Sequence, residues 1–417
     1  MVDGLVTGEL FDMPAGSVGF ASGIQYRSET LGYDYDEFTN LGDRTFVGQA
    51  NDFLNTRDVY AFFTELAIPL TSDIDLQVAV RYEDYGGSVG DTIDPKIAAI
   101  WRIDNNFVLR GSFGTSFRAP SVFQLFGNQT NLVSVDDKRP GAGAPFISIL
   151  SQGNLDLKPE ESTNWNVGFT ASFDAGFRAS FDYWRIEFKD VIVQENPQDL
   201  ADRALIGGEV ALIGTQVFLD PNTGALQRII ANYINAAFID ASGIDVSFLQ
   251  TWDTQNGTWS RGGEATYILT YNLPGSNGVK IKAVDRRNDQ IFADPVPDFR
   301  ANLNLNWAKG RHAFWVFLRY IGSFLDDENS TFGALPDGTR DFNNVVEAVK
   351  VKSHTTIDVQ YSVDLSELAP WSGTRLTIGA INLFNERPPF VFTDGSYETR
   401  THDPRGRTAY VRLNATF

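Results

Sequence analysis

The sequence predicts an all-β chain, an antiparallel transmembrane β-barrel, and three observations carry that expectation. Apolar and polar residues alternate along successive segments; the connections between segments alternate short and long; aromatic residues are abundant, yet none sit in a long apolar run. Of the 417 residues 13% are aromatic, with 32 Phe and 37 Gly, while mean hydropathy is only −0.19. So many large apolar side chains in a chain of average polarity must be interleaved with polar ones. The longest unbroken hydrophobic run, Ala313 to Leu318, falls far short of the roughly 20 residues a spanning helix needs.

The alternation is clearest in Leu76 to Glu83, where Leu76, Val78, Val80 and Tyr82 share one face and Gln77, Ala79, Arg81 and Glu83 the other. Successive side chains of a strand point to opposite sides, so this is a ribbon with one greasy and one wet face. In 107–118 the greasy face is Phe107, Leu109, Phe113 and Phe117, against Arg110, Ser112, Ser116 and Arg118. In 161–173 it is Trp165, Val167, Phe169 and Phe173, and in 297–307 Phe299, Ala301, Leu303, Leu305 and Trp307. About 14 such segments are expected, near 18–30, 57–70, 74–85, 93–103, 107–118, 161–173, 177–190, 227–252, 259–273, 296–307, 312–324, 351–363, 374–385 and 407–417. The long 227–252 stretch should bend or bulge near Ala241-Ser242-Gly243, and Asp199 to Ile213 has some helical spacing inside a connection.

Short connections such as Thr71-Ser72-Asp73, Asp104-Asn105-Asn106, Asp174-Ala175-Gly176 and Ala308-Lys309-Gly310 carry turn-forming residues. Between them lie long polar loops near 31–56, 119–160, 191–226, 274–295, 325–350 and 386–406, with 86–92 brief. Tight turns at one end and elaborate loops at the other are the signature of outer-membrane barrels. Aromatics near strand ends (Tyr60, Tyr82, Trp101, Trp165, Trp307, Tyr320, Tyr410) suit interfacial girdles, and the chain ends on a strand closed by Phe417. The greasy faces are therefore expected to meet lipid and the wet faces to enclose a lumen.

Composition excludes other chemistries. Without Cys there is no thiolate catalysis, zinc-thiolate site or disulfide. His312, His354 and His402 are scattered, and a net charge of −19 argues against nucleic acid as a partner. No catalytic, metal or cofactor site is expected. The opening Met1-Val2-Asp3-Gly4-Leu5 carries neither the basic nor the apolar part of a secretory signal.

Phe117-Arg118-Ala119-Pro120-Ser121 with Phe123-Gln124-Leu125-Phe126, then Gly153 to Ser162 and Trp165-Asn166-Val167-Gly168, resembles the mid-barrel signature of TonB-dependent receptors. Ile381-Asn382-Leu383-Phe384-Asn385 with Pro388-Pro389 resembles that family's penultimate strand, and Asp403-Pro404-Arg405-Gly406-Arg407 its final hairpin. Gly8 to Gly16 resembles the middle of such receptors. The resemblance implies a barrel of about 22 strands with a plugged lumen, a plug domain, and a TonB-contacting box. It further implies import of a scarce nutrient, a siderophore, oligosaccharide or vitamin complex, with energy passed through TonB. On that reading residues 1–417 are a single domain, the C-terminal barrel portion, without plug and N-terminal strands. Its setting would be the outer membrane of a Gram-negative bacterium, among lipid and lipopolysaccharide.

The loop aromatics Tyr33, Tyr35, Phe38, Phe123, Phe126 and Phe146 are the expected ligand contacts. Arg110, Arg118, Arg178 and Arg300 are expected to point into the lumen, toward a plug or in lumen packing rather than onto substrate. Lys158-Pro159-Glu160-Glu161 reads as the start of a strand, since adjacent carboxylates on a strand point apart. The acidic runs Asp34-Tyr35-Asp36-Glu37 and Asp326-Asp327-Glu328-Asn329 lack EF-hand spacing and read as solvated loops rather than a calcium site. Two rivals remain: a plug-less 14-strand channel, and a secreted all-β carbohydrate-binding protein or glycosidase whose apolar faces pack inward. The imported ligand is not legible from the sequence.

Overall fold

The structure, a computed structural model, describes residues 1–41, 49–274, 279–289, 293–335, 340–368, 372–393 and 395–416. Phe417, the expected terminal aromatic, lies outside the described residues. A meander of long antiparallel strands runs through the chain. It begins with β1 (Val2–Met13), β2 (Gly16–Tyr33), β3 (Phe53–Pro69), β4 (Ile74–Asp84) and β5 (Asp91–Arg102). It continues with β6 (Phe107–Arg118), β7 (Glu160–Phe173), β8 (Phe177–Gln194), β9 (Leu226–Thr254) and β10 (Gly257–Pro274). The last five are β11 (Phe299–Lys309), β12 (His312–Ile321), β13 (His354–Asp364), β14 (Ser372–Ile381) and β15 (Thr408–Thr416). Each pairs with its sequence neighbour, from β1–β2 to β14–β15.

Among the described residues the meander therefore has fifteen strands, one more than the segments read from the sequence. The addition is β1, whose glycines and acidic residues blur the alternation and whose register slips between Glu9 and Asp12. An odd count makes β1 and β15 run in the same direction. Neither pairs with anything beyond β2 and β14 among the described residues, so the sheet stays open. A self-closing fourteen-strand channel is not this architecture.

Loop parity holds throughout. Turns at 14–15, 70–73, 103–106, 174–176, 255–256 and 310–311 share one end, and all long connections lie at the other. The expected irregularity in β9 is a register shift between Ser242 and Gly243.

Face assignment follows the alternation. Val167 and Phe169 on β7, Phe181 on β8, Val246 on β9, Leu303 on β11 and Ile378 on β14 are exposed. Leu76, Phe113, Phe169 and Leu303, the residues an inward-packed sandwich would bury, belong to none of the buried apolar clusters. The opposite face buries Glu83, Glu160, Thr170 and Asp358. Its polar groups satisfy one another: Ser116 with Ser162 at 2.7 Å, Asn306 with Ser260 at 3.2 Å, Arg319 with Asp358 at 2.7 Å. Two aromatics depart from expectation. Tyr410 shares the parity of Arg412 and faces inward, its ring over Gly379 and its hydroxyl donating to Gln360 at 2.9 Å. Phe117 packs edge-on against Tyr85, 5.7 Å between ring centres, instead of facing lipid.

The buried apolar clusters lie at the long-loop end. Within 119–159 the strands Asn128–Ser134 and Phe146–Gln152 form a hairpin. The second of these pairs in parallel with the upper part of β9, Arg228 opposite Ser148. The helix Pro197–Leu205 buries Leu200, Ala201 and Ala204 against Val135, Ile147, Ile149, Val217 and Ile229. These loops, expected to be simply polar, carry a core of their own. The Asp326 run is likewise not solvated. Asp326 and Asp327 are buried, and Arg287, itself buried, donates to Asp326 at 3.2 Å, Glu328 at 2.5 Å and Glu398 at 2.7 Å. One guanidinium thus joins three long loops.

Candidate functional site: the extracellular mouth and the charged lumen wall

At the loop end of β2 and β3 the register pairs Tyr33 with Phe53. Their rings lie 5.4 Å apart, and Tyr33 stacks on Tyr35 at 5.8 Å. Phe123 reaches the same patch, 6.0 Å from Tyr33 and 6.2 Å from Phe53, and touches Tyr233 at 6.4 Å. It is positioned by the short helix Val122–Phe126, fixed at its start by a capping box: Gln124 N–H donates to Ser121 Oγ, while Ser121 N–H donates to the Gln124 side chain. Tyr35 is anchored by its hydroxyl, which donates to the Asn128 carbonyl at 3.0 Å.

Three of the expected contacts, Tyr33, Tyr35 and Phe123, therefore share one aromatic wall, with Phe53 and Tyr233 added by the fold. Phe126 lines an adjacent cleft of about 390 Å³ with Gln49, Asn51 and Asn128. Phe38, 63% exposed in the helix Glu37–Leu41, and Phe146, 71% exposed, stand apart from that wall.

Below the aromatics a cleft of about 700 Å³ opens on the inward face of β2 to β6. Five cations line it, Arg27, Arg57, Arg81, Lys96 and Arg118, with four carboxylates, Glu29, Glu65, Glu83 and Asp94. That is a local excess of cations in a chain of net charge −19. Its centre is Tyr85. The guanidinium of Arg57 lies 4.9 Å from the centre of the Tyr85 ring and that of Arg27 5.3 Å away. Arg27 donates to Glu83 at 2.8 Å and to the Tyr85 hydroxyl at 2.7 Å, and that hydroxyl donates to Glu83 at 2.6 Å. Burial, reinforced by the Glu83 carboxylate, pushes the Tyr85 phenol up to about 12, so it stays a donor at any physiological pH. Arg57 also donates to the Pro120 carbonyl at 2.6 Å. The lumen wall is thereby tied to the loop that carries Phe123.

Of the four expected lumen arginines, Arg118 lines this cleft and makes a two-pronged pair with Glu160, which also accepts the Ile192 N–H at 2.7 Å. Glu160 is thus committed to structure. Arg110 sits lower on the same face, paired with Asp182 and donating to Thr170 at 2.6 Å. Gly168 makes room for that pair, since a Cβ there would stand 2.1 Å from Asp182 Oδ1. Arg178 and Arg300 are exposed and have no ion-pair partner among the described residues. Arg27, Arg57 and Tyr85 had not been anticipated; the signal was present in the matched parity of Arg27, Glu29 and Arg57 at the mouth. Among the described residues no group of three or more His, Asp or Glu is placed to hold a metal ion.

An open-lumened sheet, greasy outside and charged inside, with one loop-rich end, defines an outer-membrane β-barrel protein. The family model for the TonB dependent receptor-like β-barrel matches residues 4–383, and the chain belongs to that family. It is 29% identical over 403 residues to the probable TonB-dependent siderophore receptor PirA of Acinetobacter baumannii, covering 94% of this chain and 46% of that protein. A shorter match, 26% over 156 residues, covers 36% of this chain and 20% of the ferrienterobactin receptor of Escherichia coli. In fold it resembles the ferric enterobactin receptor PfeA of Pseudomonas aeruginosa, with a TM-score of 0.68, 18% identity, and coverage of 100% of this chain and 54% of that one. The chain spans about half the length of the first of these relatives. Its setting is the outer membrane of a Gram-negative bacterium, and the secreted, inward-packed alternative is excluded.

Proposed function

We propose that the protein carrying this chain is an outer-membrane receptor that captures a ferric siderophore at its extracellular mouth and imports it with TonB-transmitted energy. The observation that carries this reading is the aromatic wall of Tyr33, Phe53 and Phe123 directly above a cation-rich lumen wall. Aromatic faces and guanidinium groups together suit an anionic chelate whose individual metal-binding groups are planar and oxygen-rich. PirA is described as a siderophore receptor and the Escherichia coli relative as a ferrienterobactin receptor, which supports the same class of cargo. In this reading residues 1–417 form the C-terminal part of the barrel, and the open edge of β1 is completed by further strands of the same protein. A plug domain occupies the lumen against Arg27, Arg81 and Arg110, contacts TonB, and lipopolysaccharide surrounds the loop end.

The test is growth. An iron-starved host lacking its own siderophore receptors, supplied with the full-length gene, should grow on one ferric siderophore and lose that growth when TonB is deleted. Growth on no siderophore, with uptake of an oligosaccharide instead, would refute the cargo assignment. In purified receptor, Phe123→Ala should weaken binding of that siderophore about 5- to 150-fold, taking ~1–3 kcal/mol for one stacked aromatic.

A further inference from the structure

The lipid-facing side of β9 to β13 carries an apolar groove of about 590 Å³. Its floor is a pair of small residues, Ala265 on β10 opposite Ala301 on β11. Phe248 and Leu303 lean in over Gly263, where an added Cβ would stand 2.7 Å and 2.5 Å from them. Larger side chains flank that floor, among them Phe248, Phe299, Leu303, Leu318 and Tyr320, so the groove is a seam about one side chain deep.

A second observation lies on the same face of the same strand. Arg261, two residues from Gly263 toward the periplasmic end, points outward and is exposed. It donates to the Gln250 side chain at 3.0 and 2.8 Å and lies 5.8 Å from the centre of the Trp252 ring. It has no carboxylate partner among the described residues. Beside it Trp252, Trp259 and Trp307 form a belt, with ring centres 6.4 and 6.3 Å apart. An arginine on the lipid face costs about 2–4 kcal/mol at mid-bilayer and close to nothing at the interface. Bending toward the tryptophan belt relieves that cost, and an anion at the belt would engage the N–H groups Gln250 leaves free. Arg261 and Ala265 lie four positions apart, roughly 13 Å along the strand, which is within one leaflet of a hydrocarbon core of about 30 Å.

We propose that this seam seats one glycerophospholipid of the periplasmic leaflet, with its phosphate against Arg261 and one acyl chain along the Ala265–Ala301 floor. The partner is identified by its chemistry: an anionic phosphodiester at the belt joined to an acyl chain that fills a narrow apolar channel. Lipopolysaccharide enters from the opposite leaflet and would place its phosphates near Tyr267 and Tyr320, far from Arg261.

The test is native mass spectrometry of the full-length receptor, exchanged into detergent with added phosphatidylglycerol. The folded state of each variant is checked by its heat-modifiable gel mobility. Wild type should retain one phosphatidylglycerol. Arg261→Gln, Ala265→Phe and Ala301→Leu should each lower the retained fraction about tenfold, the last two by filling the channel while the cation stays. Ala99→Phe, at a lipid-facing position on β5, should leave it unchanged. Equal retention by wild type and the three variants overturns the proposal. So does an equal loss in Ala99→Phe, or a bound lipopolysaccharide in place of the phospholipid. If one variant fails to fold, the other two carry the test.

Discussion

Arg287 shows how much one buried side chain can be asked to organise. Its three nitrogens reach Glu398, Asp326, Glu328 and Asp289 from separate points of a planar fork, whereas a lysine would have to meet all four carboxylates from a single nitrogen with three N–H groups. Burial alone would raise the Glu398 carboxyl; hydrogen bonds from Arg400 and Arg287 outweigh it and hold the group down, at about 2. Arg287→Met should destabilise the loop assembly by about 3–5 kcal/mol, because removing one partner strands buried charge. Hydrogen exchange in 279–289, 322–335 and 395–406 should speed up together; protection unchanged in any one of them would argue against a shared hub.

His402 adds a pH dependence of defined sign. Its ring is buried against Phe324 and edge-on to His354, 5.4 Å away, with neither nitrogen hydrogen-bonded. Burial, with His354 and Arg300 nearby, pushes it down to about 4, against an ordinary 6.5, while Glu398 draws it slightly back. The unfolded loop therefore takes up a proton below pH 6.5 that the folded loop refuses until about 4. Stability contributed by this site is complete above 6.5 and falls as the pH drops through that window. Glu398 acts in the same sense but lower, losing its contribution progressively as the pH falls from about 4.5 to about 2. His402→Phe should flatten the loop's protection against exchange, measured relative to the intrinsic rate at each pH, between pH 6.5 and 4, whereas an unaltered slope would assign the dependence elsewhere.

At the scale of the strand, the two faces should respond oppositely to the same change. Phe169→Arg places a charge on the lipid side of β7 and should cost about 2–4 kcal/mol if it sits at mid-bilayer. Asn166→Arg, on the lumen side of that strand, should cost far less. Urea titration of the refolded receptor in vesicles would separate them; equal losses would mean that the faces are assigned wrongly. Gly168→Val tests the close approach beneath Arg110 and Asp182. The Cβ cannot fit without parting that ion pair, so this variant should be destabilised by more than removal of the pair through Asp182→Asn. Strand position, turn position and the irregularity at Ser242 were all legible, because period two and turn chemistry are local properties. β1 was not, since Gly4 and Gly8 leave two positions of one face without side chains, acidic residues fall on both faces, and the register slips between Glu9 and Asp12. Nor was the side Tyr410 takes: an aromatic near a strand end fits either a girdle or a lumen, and only its pairing with Gly379 and Gln360 settles it.

For the whole molecule the open sheet is the governing fact. The outer edges of β1 and β15 present unpaired N–H and C=O groups at membrane depth, where each costs several kcal/mol. The chain expressed by itself should therefore fail to show heat-modifiable mobility in vesicles, while the full-length protein shows it. A stably folded, conducting product from residues 1–417 alone would overturn the view that further strands complete the barrel.

The sequence by itself determined that these strands have one oily and one wet face, which end carries the loops, and which family they come from. Each is written in neighbouring residues or short motifs. Only the tertiary structure decided that Tyr33, Phe53, Phe123 and Tyr233 meet, that Arg27 and Arg57 flank Tyr85, and that Arg287 binds three loops. Those contacts join residues far apart in the chain, and no local pattern specifies which distant partner a side chain will find. The buried loop cores were hidden for the same reason: short apolar stretches look like ordinary loop until a hairpin and a helix from separate connections bury them together.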